Sequence, residues 1–284
     1  MKDIVLIPCW RRPEFLYICL EQISKAEGAD NLHYFFSVDN GYDPQILDVI
    51  NLFQFSKEVY VRPRSAYKLG KQSYNLLKGY EYCAEKAKEF VFMIEEDVFI
   101  ANDFFKWHYA VQADKELYAS IGTKNNNYNL LPEESLGDYY THSSYQSLGV
   151  CFRKETILNK IKPHIKDEYF SKPMEYVGKY FPHSPIGKIW AEQDGLIRRI
   201  GEGGPVAFPV WPRAFHAGFY GYNRPQVVTM PTNIERRVAK VKEIAFDPEK
   251  MKLAVKHPEY FNDSVPVPLE NNSWEKVCFT KHYS

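Results

Sequence analysis

The sequence has no apolar run that approaches about 18 residues, so it predicts no helix that crosses a membrane. It has no excess of either charge, because 36 Lys and Arg residues balance 36 Asp and Glu residues. Proteins that grip duplex nucleic acid through a broad basic face are usually cationic, so neutrality disfavours that class but permits a local basic groove. The five cysteines form no Cys-x-x-Cys pair, which favours a reduced compartment. We find no signal sequence and expect a cytoplasmic protein.

Signature motifs of several enzyme classes are also missing. The chain has no GxxxxGK[ST] phosphate loop, no GxSxG nucleophile elbow and no HExxH zinc motif. The glycine-rich segment at residues 201–204 does not join a strand to a helix, so it is a poor dinucleotide fingerprint. These absences argue against P-loop, serine-hydrolase, zinc-protease and dinucleotide-binding enzymes.

What is present is an ordinary globular composition of 284 residues, 45% hydrophobic and 25% charged, which suits one large α/β domain or two small ones. Aromatic residues make up 16% of the chain, which fits either a tyrosine-rich core or rings that stack on a sugar or a base. Cys9, Cys83 and Cys151 lie in apolar runs, so we expect them in the core.

Apolar runs alternate with helical stripes through the first hundred residues. The pattern predicts strands at 4–8, 34–38, 58–61 and 90–94, and helices at 14–26, 43–55 and 71–88. This order predicts an α/β fold with a mostly parallel central sheet and helices on both faces. We expect residues 1–225 to form one domain, with residues 226–284 as a C-terminal appendage packed on it.

After residue 100 the pattern is weaker. It predicts helices at 103–111 and 187–200, strands at 119–122 and 147–153, and a loop rich in glycine and proline at 201–212.

Three consecutive acids, Glu95, Glu96 and Asp97, follow the fourth predicted strand. Carboxylates crowded at a buried strand end repel one another, and a divalent cation such as Mn²⁺ or Mg²⁺ would offset that repulsion. The alternative is a solvated acidic turn. Because ligands of such sheets bind beyond the carboxyl ends of the strands, we favour a metal site here.

Polar residues also follow the first three predicted strands. Asp39 can accept a hydrogen bond from a uracil N–H or a ribose hydroxyl, or it can form a turn before a glycine. Arg11 can pair with a phosphate or a base, or lie in solvent. Four basic residues lie between positions 62 and 71. They can face the pyrophosphate of a nucleotide-bound substrate, another anionic substrate or nucleic-acid phosphates, or they can form a solvated face.

Two further candidates lie in the second half of the chain. Asp194 or Glu192, in the predicted helix at 187–200, can serve as a general base, although an acid on a helix surface is the ordinary alternative. His216 lies among aromatic residues and glycines, where it is either a hydrogen-bonded structural residue or a ligand of a metal or a phosphate.

Together these motifs resemble GT-A glycosyltransferases, and within them the β-1,2-N-acetylglucosaminyltransferase I family (glycosyltransferase family 13). The resemblance extends over residues 4–223. Its most specific part is Ile94-Glu95-Glu96-Asp97-Val98, which is similar to the family's Glu-Asp-Asp-Leu. The other similar segments are residues 7–11, 37–41, 102–105, 125–127 and 209–218. The chain departs from the family at three positions: Trp10 replaces an Asp, Ser73 replaces a His, and Glu96 replaces the middle Asp.

The resemblance implies roles for individual residues. Asp97 would be the direct metal ligand with His216 beside it, and Asp194 would be the catalytic base of an inverting single displacement, with Glu192 as its rival. Glu95 and Glu96 would contact the ribose and the donor sugar. The expected donor-binding residues are Pro8, Arg11, Asp39, Glu95, Glu96 and Asn223.

The resemblance also implies an activity. It is the metal-dependent transfer of GlcNAc or a hexose from a UDP-sugar to an acceptor hydroxyl of a glycan, with Mn²⁺ or Mg²⁺ as cofactor. The first alternative is a phage-type enzyme that glycosylates a hydroxylated nucleobase in DNA. The others are a nucleotidyltransferase of related fold and a non-catalytic carbohydrate-binding protein.

Overall fold

A nine-stranded sheet lies at the centre of the protein, whose computed structural model describes residues 1–63, 71–123, 139–143, 145–184, 191–221, 228–254 and 281–283. The strands are β1 (Ile4–Cys9), β2 (His33–Val38), β3 (Lys57–Val61), β4 (Phe90–Met93), β5 (Val98–Ile100), β6 (Ala119–Ile121), β7 (Tyr139–His142), β8 (Val150–Arg153), β9 (Val206–Pro209), β10 (Ala214–His216) and β11 (Lys281–Tyr283). The sheet order is β11-β7-β9-β6-β8-β4-β1-β2-β3, and β5 and β10 form a separate antiparallel pair.

Helices connect these strands. They are α1 (Pro13–Ile23), α2 (Gln45–Leu52), α3 (Lys71–Lys86), α4 (Phe104–Val111), α5 (Lys154–Thr156), α6 (Asp167–Ser171), α7 (Pro173–Tyr180), α8 (Gln193–Ile200), α9 (Ile234–Ala245) and α10 (Pro248–Ala254). A π-helical turn at Ile157–Ile161 and a 3₁₀ turn at Lys162–His164 follow α5. Within the described ranges, none of these helices has the length and apolar character that a membrane span requires.

The first half of the sheet is parallel. Strands β3, β2, β1 and β4 lie side by side in parallel, with Leu6 paired to Phe35 on one side and to Met93 on the other. In the second half, β8 runs antiparallel to β4 and β6, and β7 runs antiparallel to β9 but parallel to β11. The predicted α/β class, with a mostly parallel central sheet flanked by helices, is confirmed.

Both faces of the sheet are buried because successive side chains of β1 point to opposite sides. Val5 and Ile7 join a core cluster with α1, α2, α4 and α9, whereas Leu6 joins a second cluster with α3 and α8. Each fully buried Ile or Leu contributes about 2 kcal/mol to folding. Helix α3 approaches β1 so closely that a Cβ on Gly79 would lie 2.7 Å from Leu6 Cδ1. The expected core cysteines Cys9, Cys83 and Cys151 are all buried.

Two predictions for the second half need correction. The expected loop at 201–212 contains β9, because its short apolar run Val206–Pro209 is paired between β6 and β7 and thereby buried. The expected helix at 187–200 begins only at Gln193, and residues 185–190 lie outside the described part. The short helices of residues 154–180 were not anticipated.

Helix α9 packs against α1 through a buried carboxylate. Glu14 has no exposed surface, and its Oε2 lies 2.5 Å from Arg237 Nη2 of α9. The hydroxyl of Tyr220 donates a hydrogen bond to Oε1 of the same carboxylate. We call Glu14, Tyr220 and Arg237 the Glu14 clasp. It joins α1, the segment after β10 and α9.

Candidate active site

The carboxyl ends of β1, β2 and β4 meet at one edge of the sheet. Cys9 at the end of β1 pairs with Val38 at the end of β2, and β4 runs parallel to β1 on its other side. The backbone N–H of Trp10 donates to Oε2 of Glu96 at 2.8 Å, so the segments after β1 and β4 are in direct contact. As the sequence predicts, the acids that follow β4 lie beside the turn that follows β1.

Arg12 is the residue that reaches these acids. Its Nε donates to Glu96 Oε1 at 2.9 Å, and its Nη1 donates to Asp97 Oδ2 at 2.6 Å and to the carbonyl of Tyr220 at 3.2 Å. Pro13 at the first position of α1 makes the chain turn into the helix directly after Arg12. That junction fixes where the arginine side chain starts.

His216 comes to the same carboxylate from another strand. The antiparallel pairing of β10 with β5 sets His216 opposite Val98, and its Nε2 lies 2.8 Å from Asp97 Oδ2. The N–H of Ala217 donates to the backbone carbonyl of Asp97 at 2.8 Å. We call Arg12, Glu96, Asp97 and His216 the charge cluster.

Gly218 lets the backbone close over the charge cluster. A Cβ at this position would lie 2.1 Å from Asp97 Oδ2, 2.9 Å from His216 Nε2 and 3.0 Å from Arg12 Nη1. No side chain fits there without displacing a member of the cluster. Glycine is therefore required by this close approach.

The charge cluster holds Asp97 ionised. Burial by itself would raise the pKa of Asp97, but the charges of Arg12 and His216 hold it well below its usual range. Burial raises the pKa of Glu96, and Arg12 counteracts part of that rise. Asp97 therefore carries its charge throughout the physiological pH range.

Glu95 lies between the charge cluster and a second acid. Burial raises the pKa of Glu95 well above its usual range, and the charges of Asp97 and Asp194 add to the rise. The environment thus favours a neutral Glu95 next to an ionised Asp97. Two carboxyl groups with opposite pKa shifts are a common arrangement for acid and base roles.

Asp194 lies in the first turn of α8 and is partly buried, whereas Glu192 immediately before the helix is exposed. Burial raises the pKa of Asp194 from 3.8 to about 6, and the charge of Glu192 adds to the rise. The start of α8 is held against α3, because Ser73 Oγ donates to Gln193 Oε1 at 2.5 Å. The charge of Asp194 acts on Glu95, and the charge of Glu192 acts on Asp194.

Three buried hydroxyl groups lie near Asp194: its charge raises the pKa of Tyr80 and of Tyr145, and the Ser147 hydroxyl lowers the pKa of Asp194 itself. Its Oδ1 and the hydroxyl oxygens of Tyr80, Tyr145 and Ser147 are all buried and have no well-formed hydrogen bond within the described part of the chain. The Ser147 hydroxyl is nevertheless near enough to lower the pKa of Asp194. We call Tyr80, Tyr145, Ser147 and Asp194 the hydroxyl cluster. Buried polar atoms are normally satisfied, so this cluster is suited to a water molecule or a ligand hydroxyl.

Arg11 does not reach the carboxylates. It is exposed, its Nε donates to the carbonyl of Gly41 at 2.8 Å, and its guanidinium stacks 4.3 Å from the Trp10 ring centre. Asp39 is partly buried, and its Oδ1 accepts from the N–H of Asn40 at 2.8 Å. This contact is the turn-forming role that we gave as the alternative for Asp39. Asp39 lies at the edge of the sheet where we expected the donor to bind.

Other expected residues have varied positions. Pro8 is paired to Ser37 within the sheet. Arg62 is buried and donates to the Asn75 side chain, so it does not belong to a solvated face. Asn223 lies outside the described residues, as do residues 64–70, 125–127 and 190.

Sequence reasoning missed Arg12 and three hydroxyl residues, Tyr80, Tyr145 and Ser147. Arg12 has a signal in the sequence, because it directly precedes a proline that begins a helix beside the strand end. The hydroxyl residues come from α3 and from the segment before β8, and no local spacing connects these two regions.

The residues present do not fit a divalent cation at Oδ2 of Asp97. This oxygen is already shared by Arg12 and His216, whereas Oδ1 is buried and has no hydrogen-bond partner among the described residues. No group of three or more His, Cys, Asp or Glu side chains in the described ranges is arranged to hold a metal. Asp97 and His216 do lie together, as the metal expectation requires, but a guanidinium lies where the ion would contact the carboxylate.

No protein-family model matches the chain, and no curated protein matches it. Among solved structures it is similar to S. aureus TarS in complex with UDP-GlcNAc, with 11% identity, 89% of this chain and 67% of that chain covered, and a TM-score of 0.48. It is also similar to the mannosyltransferase PcManGT from Pyrobaculum calidifontis in complex with GDP-Man and Mn²⁺, with 12% identity, 75% and 58% covered, and a TM-score of 0.43.

A third similar structure is the galactosyltransferase LgtC with donor and acceptor sugar analogues, with 9% identity, 72% of each chain covered, and a TM-score of 0.42. The chain spans 58% of another TarS structure, that of its residues 1–349. The structures named here are glycosyltransferases, each with 9–12% identity to this chain and a TM-score below 0.5.

Proposed function

We propose that the chain is an inverting glycosyltransferase of the GT-A type that moves a sugar from a UDP-sugar to an acceptor hydroxyl. One observation supports this most strongly. The charges of Asp97, in the charge cluster, and of Asp194 both raise the pKa of buried Glu95, and the helix that begins beside Asp194 contacts α3 through Ser73. A donor-binding centre and a base must be neighbours for a single displacement.

The proposed donor is UDP-GlcNAc or a UDP-hexose, in keeping with the sequence resemblance to the N-acetylglucosaminyltransferase I family. Asp39 and the turn after β1 would hold the nucleoside at the end of the parallel strands. Residues 1–225 form the proposed transferase domain, with residues 226–284 as its appendage. The need for Mn²⁺ or Mg²⁺ stays a prediction of the sequence.

In the proposed reaction Asp194 takes the proton of the acceptor hydroxyl. The acceptor oxygen then forms a bond to the anomeric carbon while the bond from that carbon to the diphosphate breaks. The leaving UDP keeps the electron pair, and the attack from the opposite side inverts the configuration. A base with a pKa of about 6 is ionised at neutral pH and still basic enough to accept the proton.

The hydroxyl cluster fits the same reaction. Ser147, Tyr145 and Tyr80 offer hydroxyl groups that can both donate and accept, beside the carboxylate that would remove the proton. A sugar hydroxyl or a water molecule satisfies such groups equally well. The cluster therefore supports an alcohol as acceptor, although it does not distinguish a glycan from a hydroxylated nucleobase.

The test is a turnover assay with a panel of UDP-sugars and of glycan and hydroxymethyl-nucleobase acceptors. Released UDP reports turnover, and proton NMR of the product reports the anomeric configuration. Asp194→Asn should lower kcat by about 10²–10⁴-fold with little change in UDP affinity. Glu192→Gln should lower kcat far less. Retained configuration, or equal losses in the two variants, would contradict the proposed base.

A further inference from the structure

We infer that the guanidinium of Arg12 takes the place of a divalent cation in this site, so that the donor diphosphate is held without a metal. The inference rests on the proposed function and concerns how the UDP group is bound. Arg12 was not a candidate from the sequence, and its position in the charge cluster carries the inference.

One oxygen of the Asp97 carboxylate, Oδ2, already has two partners within the protein. Oδ2 accepts from Arg12 Nη1 at 2.6 Å and lies 2.8 Å from His216 Nε2. A Mg²⁺ ion would bind such an oxygen at about 2.0–2.1 Å, inside the space that these two nitrogens now occupy. An ion on Oδ2 and the guanidinium therefore exclude each other.

Moving Arg12 away from Asp97 would also break its other contacts. Besides Asp97, it contacts Glu96 Oε1 at 2.9 Å and the Tyr220 carbonyl at 3.2 Å. Glu96 is itself fixed by the N–H of Trp10 at 2.8 Å. Removing the arginine would leave two buried carboxylates without their cation, which is strongly unfavourable. The cation of this site is thus part of the chain.

One nitrogen of Arg12, Nη2, is still available to a ligand. The Nε and Nη1 groups are used, but Nη2 makes no hydrogen bond to any residue of the described ranges. The Arg12 side chain keeps 21% of its surface exposed. Guanidinium N–H groups bind phosphate oxygens with both charge and direction. Nη2 can therefore face the diphosphate of UDP while the rest of the side chain stays anchored.

Two glycines lie beside the guanidinium of Arg12. A Cβ on Gly218 would lie 3.0 Å from Arg12 Nη1, and a Cβ on Gly221 would lie 3.1 Å from the same atom. Two glycines thus let the backbone approach without covering Arg12 with a side chain. Asp97, in this arrangement, orients Arg12 and His216 and does not need to coordinate an ion.

The experiment is a calorimetric titration of UDP into the full chain, first in EDTA and then in Mn²⁺. The variants are Arg12→Ala, Arg12→Lys and the control Arg236→Ala, which removes an exposed arginine of α9. Wild type and control should bind UDP in EDTA within about twofold of their affinity in Mn²⁺. Arg12→Ala should bind about 10–100-fold more weakly in EDTA, as expected for losing charge-assisted hydrogen bonds.

A second readout follows the metal itself. The electron paramagnetic resonance signal of Mn²⁺ should report no ion on the wild-type chain without nucleotide, but a bound ion on Arg12→Ala, where Asp97 is released. Mn²⁺ should then restore part of the UDP affinity of that variant. If Arg12→Ala does not fold, Arg12→Lys decides, because it keeps the charge but cannot bridge both acids: weaker binding in EDTA supports the inference, and unchanged binding overturns it.

The failures of the two proposals are distinguishable. Wild-type binding of UDP that requires Mn²⁺, or an Arg12→Ala variant that binds UDP normally in EDTA, overturns the role of Arg12 and leaves the glycosyltransferase proposal intact. A wild-type chain that binds none of UDP, GDP and CDP in either buffer overturns the proposed function itself.

Discussion

The charge cluster and the hydroxyl cluster each contain one aspartate, and the two aspartates have opposite environments. Asp97 is buried with Arg12 and His216 on one oxygen, and these neighbours hold its pKa well below the usual range. Asp194 has the hydroxyl of Ser147 beside it, and burial raises its pKa to about 6. The comparison teaches that one residue type can supply a permanent charge and a titratable base at the same sheet edge.

The largest expected effect comes from neutralising the permanent charge. Asp97→Asn leaves Arg12 and His216 without their shared carboxylate, so we expect about 3 kcal/mol lower stability and a loss of UDP binding in EDTA and in Mn²⁺ alike. Urea denaturation and titration calorimetry measure the two effects. Asp48→Asn on the exposed side of α2 is the matched control and should change stability by less than about 0.5 kcal/mol. If Asp97→Asn and Asp48→Asn are equally stable, the charge of Asp97 does not stabilise the charge cluster as proposed.

A smaller effect is expected from crowding the charge cluster without changing its charge. Gly218→Ala introduces a Cβ that meets Asp97 Oδ2 at 2.1 Å, so we expect a loss of about 1–3 kcal/mol and weaker UDP binding. Gly178→Ala in α7 is the matched control, because its Cβ would meet nothing within 4 Å and alanine favours the helix. A Gly218→Ala chain as stable as the control would show that the segment after β10 can move away.

The two aspartates should also differ in their response to pH. We expect kcat to fall as the pH drops through about 6, because Asp194 then becomes protonated, while UDP affinity stays level since Asp97 remains ionised. The raised pKa of Asp194 also means that its contribution to stability is fully present below pH 3.8 and is lost as the pH rises through about 6. A pH series of kcat, UDP affinity and thermal unfolding, repeated on Asp194→Asn, measures these responses. An unchanged profile in the variant would assign the titration to another group.

The smallest effect is expected from the hydroxyl that favours ionised Asp194. Ser147→Ala removes the group that lowers the pKa of this acid, so the acid limb of the kcat profile should move to higher pH. UDP affinity should not change, because Ser147 has no contact with the charge cluster. A limb that moves to lower pH would contradict the assigned neighbourhood of Asp194.

The first half of the fold could be predicted from the sequence because continuous apolar runs identify strands that are buried on both faces. β1, β2 and β4 are of this kind, and each ends in the polar residues that form the sheet edge. β9 was missed because three apolar residues between two prolines, Val206–Phe208, resemble a loop, and only pairing with β6 and β7 makes them part of a strand. Such pairing depends on distant segments and has no local signal.

The candidate site, like the fold, could be predicted from the sequence only in part. The sequence identified the acids after β4 and His216, which the structure brings together. It chose Arg11 over Arg12, because the direction of each side chain depends on where α1 begins. A shift of one residue in the start of α1 would decide which of the two arginines contacts Asp97. The hydroxyl cluster required tertiary structure, since its members come from separate segments.

The Glu14 clasp has a consequence for the order in which the protein assembles. Arg12 is bound by the carbonyl of Tyr220, whose hydroxyl contacts Glu14 across 206 positions of sequence, and Glu14 in turn pairs with Arg237. Contacts over such distances form late, because loop closure must come first. Arg12 therefore reaches its final position only after the segment that follows β10 and helix α9 have packed against α1.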